Sequence, residues 1–334
     1  MGTIGPRGLL DTVAGTPLVP LTRLLPACPA RLFAKLESFN PGGSAKDRSA
    51  HAMVADAWAS GQIGPGSTLV ESSSGNFAVA LARLALLNDL HAVCVVDPRT
   101  NPATVSVLRA LGAEVVAITE PDPETGDWLV ARLARVRELV AERADAVWLD
   151  QYSHPAAVRA HADGTMREID LALGGAVDWL FVATSTTGTI AGCLAHVERA
   201  GLPTRVVAVD AAGSVLFGGE RGTRRLAGYG AGIVPALAEG LHPHEVVRVP
   251  DADAVVGTRA LARREGILAG ASAGAVAAAV ARCAPRLSGT VALILHDGGL
   301  PYASTVFDDA WVESELGLTP AEMDARVAAF GEDA

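Results

Sequence analysis

Short apolar, β-branched runs alternate with helix-length amphipathic patterns along the whole chain, and this alternation restricts the fold more than any other feature. Strands are expected at 32–36, 68–71, 92–96, 114–118, 146–149, 179–183, 206–209, 246–249 and 291–295. Helices are expected at 46–59, 77–88, 103–111, 128–141, 155–173, 190–199, 253–265 and 275–283. Strands separated by helices imply right-handed βαβ crossovers and an α/β protein built on mainly parallel sheets. No internal repeat or low-complexity linker interrupts the pattern, and the polar stretch 121–126 reads as one loop.

At 334 residues the chain exceeds what one small core serves and suits two α/β domains. Aromatic residues make up only 4% while Ala, Val, Leu and Gly abound, which favours helices packed closely on parallel sheets over a β-sandwich. A net charge of −10 argues against nucleic acid or an anionic membrane as the main partner, yet leaves room for an anionic small molecule held by local donors. Cys28, Cys94, Cys193 and Cys283 form no Cys-x-x-Cys pair and read as reduced, mostly buried thiols; no metal site is expected. No charged-then-apolar leader and no apolar run of about 18 residues stands in the sequence, so the cytoplasm is the expected location.

In open parallel sheets, ligands bind at the carboxyl ends of strands, where the next helix begins. Four segments rich in Gly, Ser and Thr fall at such points: 40–46, 72–76, 184–189 and 270–274. In NPGGSAKDR, Pro41, Gly42 and Gly43 fix a tight turn just before Lys46, which is set among small residues instead of a charged face. A Schiff-base lysine needs such surroundings, because the backbone must approach a flat cofactor and the amine must lose its proton easily. The TSTTGT loop offers hydroxyls and backbone N–H groups at a helix start, which suits a phosphate. It lacks the lysine of a nucleotide-triphosphate loop, and no Gly-x-Gly-x-x-Gly follows the first strand. Taken alone, ESSSGN also reads as a helix cap.

From about Thr16 to Val312 these motifs, in this order, resemble the fold-type II pyridoxal-phosphate enzymes of the cysteine synthase and cystathionine β-synthase group. The resemblance implies the tryptophan synthase β-like architecture: a smaller, mobile domain over 41–154 and a larger one over 1–40 plus 155–334, with the cofactor between them, in a homodimer. It implies that Lys46 carries pyridoxal 5′-phosphate and moves the substrate's α-proton, and that Asn76 bonds the cofactor's phenolic oxygen. Ser72, Ser73, Ser74 and Gly75 would hold the substrate carboxylate, with Gln151 beside it. Ser185, Thr186, Thr187, Gly188 and Thr189 match the phosphate-binding loop, and 228–235 the glycine-rich stretch along the cofactor's other face. Ser272 falls where the family sets a hydroxyl against the pyridine nitrogen; a neutral partner there favours β-elimination over transamination.

Relatives that make cysteine carry Gly at Ser185 and Phe at Tyr152, so this chain adds two hydroxyls where a leaving group lies. Arg132 alone reads as one of three solvent-facing arginines on an amphipathic helix. With Tyr152 and Ser185 it resembles the set of the N-(2-amino-2-carboxyethyl)-L-glutamate synthases, which join O-phospho-L-serine to L-glutamate on the way to 2,3-diaminopropionate for siderophores and peptide antibiotics. Two hydroxyls and a guanidinium suit a departing phosphate dianion better than acetate. Two alternatives remain open at this point: cysteine synthesis from O-phosphoserine or O-acetylserine with sulfide, and a non-catalytic ligand sensor, against which the intact NPGGSAKDR counts. The segment DGGLPY has Pro301 where relatives carry a basic residue.

Overall fold

The computed structural model describes residues 8–332. Along the chain, β1 (Leu18–Leu21) and β2 (Arg31–Leu36) precede α1 (Lys46–Ala59), β3 (Thr68–Ser72), α2 (Asn76–Leu87), β4 (His91–Val96) and α3 (Pro102–Ala110). Next come β5 (Glu114–Ala117), α4 (Trp128–Glu142), β6 (Ala146–Val147), α5 (Pro155–Ala160) and α6 (Arg167–Leu173). After β7 (Trp179–Ala183) follow α7 (Gly188–Ala200), β8 (Arg205–Ala211), β9 (Glu245–Val249), α8 (Asp251–Ala260), α9 (Ala271–Cys283), β10 (Thr290–Leu295), α10 (Asp309–Leu316) and α11 (Pro320–Ala328).

Two compact units share the chain. Residues 8–13 and Asn40–Ala157 form one, Ala14–Phe39 and Val158 onward the other. Against the expected 41–154 and 1–40 plus 155–334, residues 8–13, Asn40 and 155–157 group with the smaller unit, where Asp11 acts electrostatically on His51 of α1. That unit has a four-stranded, wholly parallel sheet in the order β5-β4-β3-β6. The other has six strands in the order β1-β2-β10-β7-β8-β9, parallel except for the antiparallel β1–β2 pair.

Strand β1 escapes the sequence pattern because Pro20 breaks it; as an edge strand it tolerates the missing donor. Strands β7 and β10 are fully buried, almost continuous apolar runs, as parallel strands covered on both faces tend to be, whereas β3, equally buried, ends in the polar pair Glu71 and Ser72. Scarcity of aromatics has its counterpart in α9, where Ala-rich sequence lets helices approach closely. A Cβ on Gly257 of α8 would stand 2.2 Å from the carbonyl oxygen of Gly274 in α9. Expected helix 155–173 is interrupted by a π-helical turn, His161–Met166, and α8 likewise runs into one at Leu261–Glu265. The four cysteines are free, three of them buried. Among the described residues no helix is long and apolar enough to cross a membrane.

Candidate active site

In the smaller unit, the turn before Lys46 is organised by Asp47. Its carboxylate accepts from the Gly42 amide at 3.0 Å and the Ser44 amide at 3.4 Å, and pairs with Arg83 at 3.4 Å. A Cβ on Gly42 would fall 2.3 Å from the Asp47 carboxylate, so any larger residue must displace that carboxylate. The Gly43 amide closes the turn on the Asn40 carbonyl at 2.8 Å. Lys46 therefore starts α1 on a backbone fixed by its own neighbours, and is itself half-buried.

The serine loop leaves the C-terminal end of β3. Ser73 does act as a cap, its Oγ accepting from the Ala78 amide at 3.1 Å, while the N-cap Gly75 gives α2 no side-chain bond. Capping thus occupies only one of the three serines. The Ser72 hydroxyl is buried with no hydrogen-bond partner, and the Ser72 carbonyl accepts from Gln151 Nε2 at 3.2 Å. Gln151 is thereby brought against the serine loop across 79 residues of sequence.

Arg132 is not solvent-facing. Its side chain is 9% exposed and turned into the unit, Nη1 donating to Ser74 Oγ at 3.1 Å and Nε facing Asp97 Oδ2 at 3.5 Å. Of its two companions on α4, Arg135 pairs with Glu138 and Glu142, and Arg137 lies over the Trp148 ring. Burial pushes the Tyr152 phenol well above its ordinary range, and the Arg132 charge pulls it part of the way back. The Arg132 charge is thus felt at the Tyr152 phenol. Tyr152 follows Asp150, a non-glycine residue in the left-handed region (φ 54°) whose carboxylate accepts from the Tyr152 amide at 3.1 Å.

Beneath the serine loop lies Glu71, a residue that sequence reasoning missed. It is fully buried, and Oε1 accepts from the Ser72 amide at 2.9 Å and from Trp148 Nε1 at 3.1 Å, while Oε2 has no partner. Burial pushes its pKa up to about 8 against those two donors, with Asp150 adding to the rise. Asp97 was missed as well. The sequence signals were a lone acid at the start of ESSSGN and another just past β4, and neither type nor spacing distinguishes such acids from surface ones.

In the larger unit, β7 delivers Thr184–Thr187 to the start of α7. Thr187 stands in the left-handed region at φ 64°, its hydroxyl donating to the Thr186 carbonyl at 2.8 Å; no side chain caps α7. A β-branched residue in that region costs about 1–2 kcal/mol, so the surroundings impose the loop's shape. The open amides at Gly188 and beyond carry the partial positive charge of the helix start. Thr189 is fixed from the π-helical turn by His161, with Nε2 3.2 Å from its Oγ1 and Nδ1 3.0 Å from Thr165 Oγ1. Asp210 of β8 is buried beneath the loop near Thr184, and burial raises its pKa.

Ser272 lies in the first turn of α9, 2% exposed. Beside it runs the glycine stretch: a Cβ on Gly228 (φ 95°) would come within 3.7 Å of Ser272 Oγ and 3.8 Å of the Tyr302 hydroxyl. The absence of that Cβ leaves a flat wall beside a neutral hydroxyl, and the Gly230 amide ties the stretch to the Thr184 carbonyl at 2.5 Å. Pyridoxal phosphate fits these donors. The larger unit has an uncapped helix start with hydroxyls for its phosphate and a bare backbone against Ser272 for its ring; the smaller has a lysine on a fixed helix start.

The profile of the pyridoxal-phosphate dependent enzyme family matches residues 9–298, and the chain belongs to that family. It is similar to the N-(2-amino-2-carboxyethyl)-L-glutamate synthase of Ralstonia nicotianae, 42% identical over 92% of this chain and 91% of that protein. The enzyme of the same name from Cupriavidus metallidurans is 41% identical over equal shares of both chains. Among solved structures it is similar to O-ureido-L-serine synthase, with a TM-score of 0.82 at 33% identity over 92% of this chain and 99% of that one. The O-acetylserine dependent cystathionine β-synthase of Helicobacter pylori gives 0.83 at 28% identity, over 90% and 98%. The chain is thus a fold-type II enzyme with pyridoxal phosphate as its cofactor.

Proposed function

We propose that this enzyme replaces the phosphate of O-phospho-L-serine with the amino group of L-glutamate, giving N-(2-amino-2-carboxyethyl)-L-glutamate, a precursor of 2,3-diaminopropionate. The observation that carries this reading is the buried, inward Arg132, hydrogen-bonded to Ser74 of the serine loop. The 41–42% identity to two synthases of that name, along most of each chain, supports it. In the reaction the Cβ–O bond to phosphate breaks, a Cβ–N bond to glutamate forms, and the amine's extra proton is released. Bound pyridoxal phosphate supplies the electron sink that makes the α-proton acidic and the β-substituent labile.

Lys46 holds the cofactor through Nζ and then takes and returns the α-proton. Ser72, Ser73, Ser74 and the Gly75 backbone bind the substrate carboxylate, with Gln151 securing the loop through the Ser72 carbonyl. Asn76 bonds the cofactor's phenolic oxygen. Thr186, Thr187, Gly188 and Thr189 hold its phosphate, and Ser272 meets its ring nitrogen as a neutral partner. Arg132, Tyr152 and Ser185 stabilise the charge that develops on the leaving phosphate.

Ser185→Gly tests the assignment, because it restores the residue that cysteine synthases carry and leaves the loop's amides in place. Hydrogen bonds to charged groups are worth roughly 1.5–3 kcal/mol, so kcat/KM for O-phosphoserine falls about 10- to 150-fold. O-acetylserine loses much less. Equal losses for the two esters, together with weaker cofactor binding, would assign Ser185 to the cofactor and overturn the phosphoserine reading.

A further inference from the structure

A guanidinium as buried as that of Arg132 needs a counter-ion, since an unpaired charge at such a site costs several kcal/mol. Asp97 supplies it. The residue directly follows β4, is 4% exposed, and sets Oδ2 3.5 Å from Arg132 Nε. The same carboxylate accepts from the Arg99 amide at 2.9 Å and from Arg99 Nη2 at 2.9 Å. Burial works against its ionisation, but the bonds from Arg99 and the charge of Arg132 outweigh that and hold the carboxyl below the usual carboxylate range.

The arrangement continues onto α4. Arg99 lies over the Trp128 ring at 5.6 Å, and Trp128 opens the helix one i,i+4 step before Arg132. Asp127 caps that helix, accepting from the Leu129 amide at 2.7 Å. The turn at 97–101 thus touches α4 at two places, through Arg99 over Trp128 and through the Asp97–Arg132 ion pair. Two arginines share one carboxylate, so a net positive charge remains on the group.

We infer that Asp97 is a positioning residue for leaving-group selectivity: its carboxylate forms an ion pair with the Nε side of Arg132 at 3.5 Å, without a hydrogen bond, and so favours the orientation in which Nη1 meets Ser74 and an incoming phosphate dianion. The inference rests on the reading of Arg132 given above. A guanidinium already oriented by its counter-ion and by Ser74 loses less side-chain freedom when the dianion arrives than one with no buried counter-ion. An ester with a neutral acyl group gains nothing from that orientation. Selectivity between the two esters is therefore the property that Asp97 controls, and a residue that merely shaped the 97–101 turn would leave it unmoved.

Asp97→Asn keeps the shape and an acceptor for the Arg99 amide but removes the charge. In the holoenzyme, with folding checked by thermal unfolding, it is expected to lower kcat/KM for O-phosphoserine by about 10- to 100-fold, chiefly through KM, with a change of about threefold or less for O-acetylserine. Arg132→Ala, measured in parallel, lowers the phosphoserine-to-acetylserine ratio to a similar extent, and the double variant lowers it no further. If Arg132→Ala changes the ratio and Asp97→Asn does not, or if Asp97→Asn harms both esters equally, the positioning role is refuted and the reading of Arg132 stands. If Arg132→Ala leaves the ratio unchanged, that reading itself fails and takes the inference with it. Should Asp97→Asn not fold, Asp97→Ser carries the same test, since its hydroxyl still accepts from the turn.

Discussion

Replacing Glu71 by Gln makes the enzyme's stability less sensitive to alkaline pH. Glu71 is fully buried, with one oxygen satisfied by the Ser72 amide and Trp148 and the other without a partner. Its pKa stands at about 8 against 4.5 for an ordinary glutamate, burial being the largest cause. A folded-state value above the unfolded one means that stability is fully present below about pH 4.5 and is lost as pH rises through about 8. At about 1.4 kcal/mol per unit the loss reaches on the order of 5 kcal/mol by pH 9. Glutamine keeps an oxygen for both donors and places an uncharged amide where the neutral carboxyl would have its hydroxyl, so it removes the ionisation alone. Unfolding entropies of roughly 2 cal/mol/K per residue convert 1 kcal/mol into about 1.5 °C for a chain of this length. Thermal unfolding of both proteins between pH 5 and 9 should therefore show Glu71→Gln gaining about 6 °C on the parent at the alkaline end. Parallel curves would mean that Glu71 is ionised throughout, and would refute the argument from burial.

Lys46→Ala is expected to abolish turnover and the cofactor's covalent attachment together, read as loss of product and of cofactor retained after borohydride reduction followed by denaturation. Product at near parental rates would remove Lys46 from the chemistry. Gly42→Ala drives a Cβ into the Asp47 carboxylate and should cost about 2–3 kcal/mol in urea unfolding with a loss of cofactor occupancy; unchanged values would show that the Lys46 turn does not depend on Asp47.

Much of the fold was legible because each strand and helix announces itself locally. The expected 179–183 and 46–59 coincide with β7 and α1, where apolar runs and small-residue turns set the boundaries. The π-helical turn at His161–Met166 was not legible, since the helical pattern runs straight through it and its purpose, the contact of His161 with Thr189, is made across 28 residues. Strand β1 was hidden by Pro20. The C-terminal helix α11 could have been read, because Thr319 and Glu322 form a capping box with Pro320 between them. At the site, motif residues such as Lys46 stand out from their immediate neighbours. The direction of Arg132 depends on Ser74, 58 residues away, and on Asp97, and only the order of the strands in the sheet brings those three together.

The proposed reaction is tested most directly by giving the purified holoenzyme O-phospho-L-serine with equimolar L-glutamate and sulfide, and following phosphate release while identifying products by mass spectrometry. The account predicts stoichiometric phosphate and N-(2-amino-2-carboxyethyl)-L-glutamate as the dominant product, with little cysteine. Cysteine as the dominant product, or faster turnover of O-acetylserine than of O-phosphoserine, would contradict it.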